Sequence, residues 1–214
     1  MAFWAIVPVK PLRRGKSRLS GVLTEDERTG LNHCLLANTL EVLASVPEIE
    51  HTLVVSRDPQ ALALAREHGA RTVQEKGLPH LNIALARATV VAVNHAVRGV
   101  LILPADLPLL SAEDIQALVG RATHPPVVVI APDRRGSGTN ALLVYPAGRI
   151  HYSFGADSYP RHCGLAQKSG ARLEICDRPG LALDVDLPED YALVRDELES
   201  LLAYDSSQME LSGT

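Results

Sequence analysis

The stretch VVVIAPDRRGSGTNALLVYP, residues 127–146, contains a glycine-rich loop between two apolar runs. Glycine-rich loops in nucleotide-binding proteins usually lead into a helix, whose N-terminus binds the phosphate. Here the residues after the loop, NALLVYP, are predicted to form a strand instead. The stretch therefore predicts two strands joined by a short loop, either as a hairpin or as a local antiparallel excursion within a larger sheet.

Five further segments of strand length alternate with helical patterns along the chain. They are FWAIVPV (3–9), TLVVS (52–56), ARTVQ (70–74), VLILP (100–104) and ARLEIC (171–176). Several are continuously apolar, which is typical of strands buried on both faces. This alternation favours an α/β fold, with a mostly parallel sheet and helices on both of its faces.

The first helix is predicted to begin at Thr24, because Glu27 three residues later completes a capping-box pattern. Its buried stripe is expected to consist of Leu31, Leu35, Leu36, Leu40 and Leu43. Further helices are predicted near residues 59–68, 81–97, 111–120, 158–169 and 188–202. No internal repeat or long linker interrupts the pattern, which predicts a single domain over residues 1–203 and a flexible tail over 204–214.

The composition limits the function classes. The 214 residues, of which 46% are hydrophobic, suffice for one domain with a sizeable core. A net charge of −4 does not favour a nucleic-acid-binding surface. The three cysteines have no CxxC spacing, which argues against a disulfide framework or a cysteine zinc site. We expect a cytoplasmic location and no membrane span, because the N-terminal apolar segment is too short for a signal sequence and no apolar run reaches about 18 residues.

Ligands of open α/β sheets bind beyond the carboxyl ends of the strands, so the residues that follow each strand are the candidates for a site. The first strand is followed by KPLRRGKSR, residues 10–18, which carries five cations. This loop lacks both GxGxxG and GxxxxGK[ST], so neither a dinucleotide fingerprint nor a P-loop is predicted. Clustered cations suit a triphosphate, with Lys16 the first choice for a phosphate contact, although a solvated basic loop is the alternative.

Three aspartates follow later strands. Asp106 comes directly after the apolar run of LILPADLP, and Asp184 and Asp186 alternate in LALDVDLPED, which directs both carboxylates to one face. Each alone is also compatible with a turn, a strand end or a helix cap. Together they predict a site for one or two magnesium ions, since magnesium prefers carboxylate oxygens and substrate phosphates.

The segment SFGADSYPRHCGLA begins at Ser153 and places Gly155 and Ser158 at the start of a predicted helix. Backbone N–H groups at such a start favour an anion, although Ser158 is also compatible with an ordinary N-cap. His162 is expected to be structural rather than catalytic, as are the other seven histidines, which form no HxxxH or HxH pair.

Over residues 5–195 these motifs together resemble the 2-phospho-L-lactate or phosphoenolpyruvate guanylyltransferases of coenzyme F-420 biosynthesis. The resemblance is carried by PVKPLRRGKSRL, LNIAL, LPADLP, GSGTNALL, FGADS and DVDLPED. It implies a three-layer, Rossmann-like α/β sandwich of the nucleotide-diphospho-sugar transferase type. It also implies a homodimer that transfers GMP from GTP to phosphoenolpyruvate or 2-phospho-L-lactate and releases pyrophosphate.

The resemblance also implies residue roles. Lys16 and Asp106 would serve catalysis. The residues implied to bind the nucleotide are Lys10, Lys16, Arg18 and Asn82. Those implied to bind the phosphorylated acid are Thr139, Gly155 and Ser158, and those implied to hold Mg²⁺ are Asp106, Asp184 and Asp186. One departure is EKGLPHLNIAL, residues 75–85, which lacks the glycine cluster that many relatives carry before the Leu-Asn pair.

The glycine-rich loop then has a specific expected role. Gly136 and Gly138 would let the backbone approach the acid closely, with φ values that other residues resist. Thr139 would offer a hydroxyl and an N–H group to the phosphate or carboxylate of the acid. A plain hairpin turn is the alternative.

The implied reaction needs no general base, because a phosphomonoester with a second pKa of about 6 is largely dianionic at neutral pH. This agrees with a sequence that shows no convincing Ser-His-Asp or Cys-His arrangement. Two other functions remain open at this point. One is nucleotidyl transfer to a different acceptor, such as a molybdopterin or a sugar phosphate, and the other is nucleotide binding without catalysis in a regulatory or scaffold protein.

Overall fold

The computed structural model describes residues 3–76 and 80–212 of the chain. Its strands are β1 (Phe3–Val9), β2 (Ile49–Ser56), β3 (Arg71–Gln74), β4 (Gly99–Ile102), β5 (Val127–Pro132), β6 (Thr139–Tyr145) and β7 (Arg172–Ile175). Its α-helices are α1 (Glu25–Ser45), α2 (Pro59–Glu67), α3 (Leu81–Asn94), α4 (Ala112–Gly120), α5 (Ser158–Lys168), α6 (Pro179–Ala182), α7 (Pro188–Leu193) and α8 (Arg195–Ser212). Within those two ranges, no helix combines the length and the apolar content that a membrane crossing requires.

The strands form one sheet in the order β3-β2-β1-β4-β6-β5-β7. All of them run parallel except β6, which is antiparallel to both of its neighbours, β4 and β5. The antiparallel excursion predicted for residues 127–146 is therefore confirmed, with β5 and β6 as its two strands. Because β6 runs in the opposite direction, the loop that joins β5 to β6 lies at the same edge of the sheet as the carboxyl ends of the parallel strands.

Helices cover both faces of this sheet. Alternate residues of a strand point to opposite faces, so Ala5 and Val7 lie in one buried cluster and Trp4 and Ile6 lie in the other. The first cluster is completed by α1, α2 and α4, and the second by α3 and α5. The three-layer α/β sandwich expected from the sequence is therefore confirmed.

The ends of the helices agree with the sequence in part. Thr24 caps α1, and its side chain and that of Glu27 complete the predicted capping box. The single helix predicted over residues 188–202 is wrong, because α7 ends at Leu193 and α8 begins at Arg195. Val194 interrupts them with a φ of −130° and is only 2% exposed, so the break allows this side chain to be buried. Helix α8 continues to Ser212, past residue 203, where the sequence places the end of the domain.

A third buried cluster fixes the two loops that carry charged candidate residues. Leu19 and Val185 belong to this cluster together with leucines of α1. Lys16 lies three residues before Leu19, and Asp184 and Asp186 flank Val185. Core packing of Leu19 and Val185 therefore fixes the backbone of the two loops that carry these charged side chains.

Candidate active site

The loop that follows β1, residues 10–19, is here called the lysine loop. It folds as two 3-10 turns, Leu12–Arg14 and Ser17–Leu19, and the leucine of each turn is buried. Lys16 joins the turns in the left-handed conformation, with φ 54° and ψ 33°. That conformation costs a residue other than glycine roughly 1–2 kcal/mol, which the anchored loop must offset.

The ammonium group of Lys16 lies between two carboxylates. Its Nζ is 3.2 Å from Oδ1 of Asp186 and 3.4 Å from Oδ2 of Asp106, and the lysine side chain is only 6% exposed. Burial alone would lower the pKa of Lys16, but the charges of Asp106 and Asp186 outweigh burial and raise that pKa. Lys16 is therefore a fixed positive charge at neutral pH.

Three aspartates converge at the carboxyl edge of the sheet. One carboxylate oxygen from each of Asp106, Asp184 and Asp186 lies within 4.8 Å of the other two. The backbone N–H of Val185 donates to the carbonyl of Asp106 at 3.1 Å, which joins the loop after β4 to residues 184–186, here called the aspartate segment. Burial, together with the charges of Asp106 and Asp186, raises the pKa of Asp184 to about 6. The cluster therefore has the composition and the charge repulsion of a cation site.

Asn140 supports the aspartate segment, a role that sequence reasoning missed. It is almost fully buried in β6, and its Nδ2 donates to the carbonyls of Leu181 and Ala182 at 3.0 and 3.1 Å. The same amide nitrogen lies 3.3 Å from Oδ1 of Asp184. Asn140, which lies on the antiparallel strand β6, therefore orients the carboxylate of Asp184.

The glycine loop, residues 133–138, is closed by Asp133. The N–H of Asp133 donates to the carbonyl of Gly138 at 3.0 Å, and its Oδ1 accepts from the N–H of Ser137 at 2.8 Å. Gly136 has the expected positive φ, at 68°. The same expectation is wrong for Gly138, which is needed for space instead, since a Cβ there would lie 2.9 Å from Oδ2 of Asp133.

Thr139, which follows the glycine loop, and His162 of α5 are both buried and face each other. Oγ1 of Thr139 lies 3.0 Å from Nδ1 of His162, and Nε2 of His162 accepts from the N–H of Ser153 at 3.0 Å. Burial lowers the pKa of His162 to about 4, helped by the charge of Arg161. His162 is therefore neutral at physiological pH and joins Thr139 to the segment before α5.

Gly155 and Ser158 lie beside this pair at the start of α5. Gly155 has a φ of 124°, and its carbonyl accepts from the N–H of Ser158 at 3.2 Å. The N-cap of α5 is Asp157, so the alternative interpretation of Ser158 as a plain N-cap is wrong. The N–H of Tyr159 donates to the carbonyl of Ser137 at 3.0 Å, which places the start of α5 against the glycine loop. The structure thus brings Thr139, Gly155 and Ser158 into one region.

The remaining predicted nucleotide contacts lie in different places. Lys10 lines the cavity described below, whereas Arg18 is exposed on the second 3-10 turn and does not line that cavity. Both ends of the Asn82 amide are bonded to the backbone of Phe154, with Nδ2 to the carbonyl at 3.1 Å and Oδ1 to the N–H at 2.8 Å. Asn82 therefore fixes the segment before α5 to helix α3.

Asp190, which sequence reasoning also missed, joins the glycine loop to the aspartate segment. Its buried Oδ1 accepts from Arg134 at 2.6 Å and from Arg135 at 2.7 Å. Its Oδ2 accepts from the N–H groups of Asp186 and Leu187 at 3.3 and 2.9 Å. Burial alone would raise the pKa of Asp190, but the two arginines outweigh burial and lower that pKa.

A cavity of about 460 Å³ opens beside these groups at the carboxyl edge of the sheet. Lys16, Asp106 and Asp186 line one part of its wall, and Arg57 and Glu75 line another. The volume lies within the range of about 300–1,000 Å³ that small-molecule sites commonly have. A single cavity thus contacts the lysine loop, two of the three aspartates (Asp106 and Asp186) and the ends of four neighbouring strands.

Comparison with known families decides what kind of protein this is. Residues 3–195 match the model of the family described as guanylyl transferase CofC like. The chain belongs to this CofC-like family. It is 42% identical over 192 residues to the phosphoenolpyruvate guanylyltransferase of Rubrobacter xylanophilus, a match that covers 90% of this chain and 93% of that protein. It is 34% identical over 186 residues to the 2-phospho-L-lactate guanylyltransferase of Methanothermobacter thermautotrophicus, covering 87% of this chain and 81% of the other.

Solved structures show the same fold as this CofC-like chain. A protein from Desulfovibrio desulfuricans G20, provisionally assigned as a nucleotide-diphospho-sugar transferase, superposes with a TM-score of 0.72 at 16% identity, covering 95% of this chain and 98% of that one. A nucleotidyl transferase from Methanothermobacter superposes with a TM-score of 0.65 at 16% identity, covering 93% and 98% of the two chains. The predicted nucleotide-diphospho-sugar transferase type of sheet is therefore confirmed.

Proposed function

We propose that this chain transfers GMP from GTP to a phosphorylated three-carbon acid, phosphoenolpyruvate or 2-phospho-L-lactate, in coenzyme F-420 biosynthesis. The observation that carries the proposal is the cluster of Lys16 with Asp106, Asp184 and Asp186 at one edge of the sheet. Family membership and the relatives' guanylyltransferase activities support the choice of nucleotide and acceptor.

The donor set fits magnesium. Three carboxylates with oxygens within 4.8 Å of one another offer only hard oxygen ligands, and Asp184 carries a pKa raised to about 6 by burial and by its neighbours. We infer that Asp106, Asp184 and Asp186 would hold Mg²⁺, which when bound would supply positive charge beside the triphosphate.

The residues of the chain then act on two anions that repel each other. A phosphate oxygen of the acid attacks the α-phosphorus of GTP, the new O–P bond forms, and the bond between the α-phosphorus and the oxygen bridging to the β-phosphorus breaks. The bridging oxygen leaves with pyrophosphate. Lys16, charged and almost fully buried, would stabilise the negative charge on the triphosphate and on the departing pyrophosphate.

The acceptor acid would bind at the glycine loop and the start of α5. Thr139 offers a hydroxyl whose orientation is set by His162. Gly155 has a φ of 124° and no side chain, so the acid can approach its backbone closely. Ser158 contributes its hydroxyl from the first turn of α5. Asp190 would fix the position of this acceptor region relative to the aspartate segment, because it is hydrogen-bonded to both. Positioning of the two substrates would supply much of the acceleration.

The test is pyrophosphate release with GTP and magnesium, adding phosphoenolpyruvate, 2-phospho-L-lactate and 3-phosphoglycerate separately. Release with phosphoenolpyruvate or 2-phospho-L-lactate supports the proposal and identifies the acceptor. Bound GTP without release in the presence of either acid would overturn it. The homodimeric state, the cytoplasmic location and the domain boundary at residue 203 stay predictions.

A further inference from the structure

The cavity has two polar ends. Lys16 and Asp106 form one end, and Arg57 and Glu75, which follow β2 and β3, form the other. In the sheet, β2 and β1 separate β3 from β4, the strand that precedes Asp106. Glu75 and Asp106 therefore follow strands that lie three spacings apart, roughly 14 Å, whereas Arg57 and Lys16 follow neighbouring strands. A nucleotide whose phosphates bind at Lys16 would extend its base towards the second end.

The pair at the second end is incompletely bonded. Nε of Arg57 lies 3.7 Å from Oε2 of Glu75, which is too long for a good hydrogen bond. That nitrogen is buried and has no hydrogen-bond partner among the residues that the structure describes. The backbone of Glu75 is fixed, because its N–H donates to the carbonyl of Ser56 at 2.9 Å. A buried donor without a partner is costly. The part of the Arg57 side chain that is exposed, 31% of it, is what a ligand in the cavity can contact.

We propose that Arg57 and Glu75 recognise the guanine base of the nucleotide, an inference that rests on the proposed GTP-dependent function. Guanine presents the acceptors O6 and N7 and, next to O6, the donors N1–H and N2–H₂. Arginine donates well to O6 and N7. A carboxylate accepts from the adjacent N–H groups, so an arginine beside a glutamate is complementary to the edge of this base.

Adenine has the opposite polarity at the same positions. Its N6–H₂ group would face the donors of Arg57, and its unprotonated N1 would face the carboxylate of Glu75. Both contacts would leave buried polar groups unpaired, which sites built for hydrogen bonding reject strongly. The pair thus selects guanine by attraction and excludes adenine by repulsion.

The wall between the two ends suits the rest of a nucleoside. Pro8 at the end of β1 and Val55 at the end of β2 line the cavity, with Leu81 and Ala84 of α3. These apolar side chains offer surface to the purine ring and the ribose without competing for their hydrogen bonds. Arg57 and Glu75 add charged groups for the edge of the base beside this apolar surface.

The experiment compares GTP with ITP, because ITP differs from GTP only in lacking the 2-amino group. For the wild-type enzyme we expect kcat/KM for ITP to be about 10–100-fold below that for GTP, the loss of one hydrogen bond to a charged group. In Glu75→Gln the ratio of GTP to ITP should fall at least about fivefold, since a neutral amide accepts more weakly than a carboxylate.

Glu67→Gln is the matched control, because Glu67 is exposed at the end of α2 and does not line the cavity. It should leave the GTP-to-ITP ratio at the wild-type value. An unchanged ratio in folded Glu75→Gln would overturn the inference. If that variant does not fold, calorimetric binding of guanosine and inosine to the wild-type protein decides, and equal affinities would overturn it. Selective guanosine binding without pyrophosphate release would instead reject only the proposed reaction.

Discussion

The hydroxyl oxygen of Thr139 lies 3.0 Å from Nδ1 of His162, and both side chains are buried. Nε2 of His162 must be an acceptor, because it faces the backbone N–H of Ser153 at 3.0 Å. A neutral imidazole carries one N–H, so the proton is on Nδ1 and is donated to Thr139. The hydroxyl hydrogen of Thr139 is then available for a different acceptor, and on the proposed function that acceptor is the acid substrate.

Thr139→Val should therefore weaken binding of the acid. Valine keeps the shape of threonine but loses the donor, so we expect the KM for the acid to rise about tenfold or more while the KM for GTP changes little. Steady-state pyrophosphate release with each substrate varied in turn measures both constants. Thr139→Ser keeps the hydroxyl and should stay near wild type. A raised KM for GTP with an unchanged KM for the acid would contradict the assignment.

His162 should make stability depend on pH. Burial holds its pKa in the folded state at about 4, below the ordinary histidine value of 6.5. Between pH 6.5 and pH 4 the unfolded chain therefore binds a proton at this histidine that the folded chain does not bind. The free energy of unfolding accordingly decreases as pH falls through this range. Between pH 7 and pH 5 the wild type should lose about 2 kcal/mol more than His162→Gln.

Urea unfolding of both proteins at the two pH values measures this difference. All other titrating groups are shared, so His162→Gln is its own control for them. Equal losses in the two proteins would show that His162 takes up a proton in the folded state. Titration of the His162 ring protons by NMR checks the same pKa in the wild type without any substitution.

Asp184→Asn should separate stability from activity. Asp184 is desolvated and lies beside two other carboxylates, so a neutral amide removes repulsion and should raise the Tm of the protein without divalent cations by a few degrees. The turnover rate with magnesium should nevertheless be largely lost, because the substitution removes one of the three proposed carboxylate ligands of the ion. Thermal unfolding in a chelator and pyrophosphate release measure the two effects.

Asp177→Asn is the control for this substitution, since Asp177 is exposed and lies outside the carboxylate cluster. It should change neither quantity. Asp186→Asn should abolish most turnover in the same way. Near-wild-type rates in either cluster variant at saturating magnesium would reject the metal assignment.

Lys16→Met should lower kcat/KM for GTP by about 100–1,000-fold, the usual effect of removing one charge-stabilising donor from an active site. It should also lower the Tm, because Asp106 and Asp186 would lose the cation that lies between them. Kinetics with GTP varied and a thermal scan provide the measurements. Lys168→Met, at the exposed end of α5, should leave both near wild type. Retained kcat/KM in Lys16→Met would remove Lys16 from the mechanism.

Local patterns explain why so much of the fold was predictable. Runs such as FWAIVPV and VVVIAP carry their strand signal in their own residues, and Thr24 with Glu27 marks the start of α1 within four positions. The three aspartates were predictable as a group because each follows a strand or alternates in an extended segment. Strand ends in such sheets meet at one edge, so the topology brings the carboxylates together.

The missed features depend on contacts between distant residues. Asn140 supports Asp184 from 44 positions away, and His162 reaches Thr139 across 23 positions. Nothing in the neighbouring sequence distinguishes Asp190 from an ordinary acidic residue in the first turn of a helix. The break at Val194 was missed for a similar reason, because burial of that side chain against other helices overrides the helical pattern.

The hydrogen bonds of Asp190 to the glycine loop and to the aspartate segment make the conformations of these two parts of the chain depend on each other. Replacing residues 133–138 by a loop without Arg134 and Arg135 would leave the buried carboxylate of Asp190 without its two cations. A chimera that alters the acceptor preference should therefore carry the glycine loop together with residues 184–190. A substitution of either arginine or of Asp190 should therefore require a matching change in the other segment.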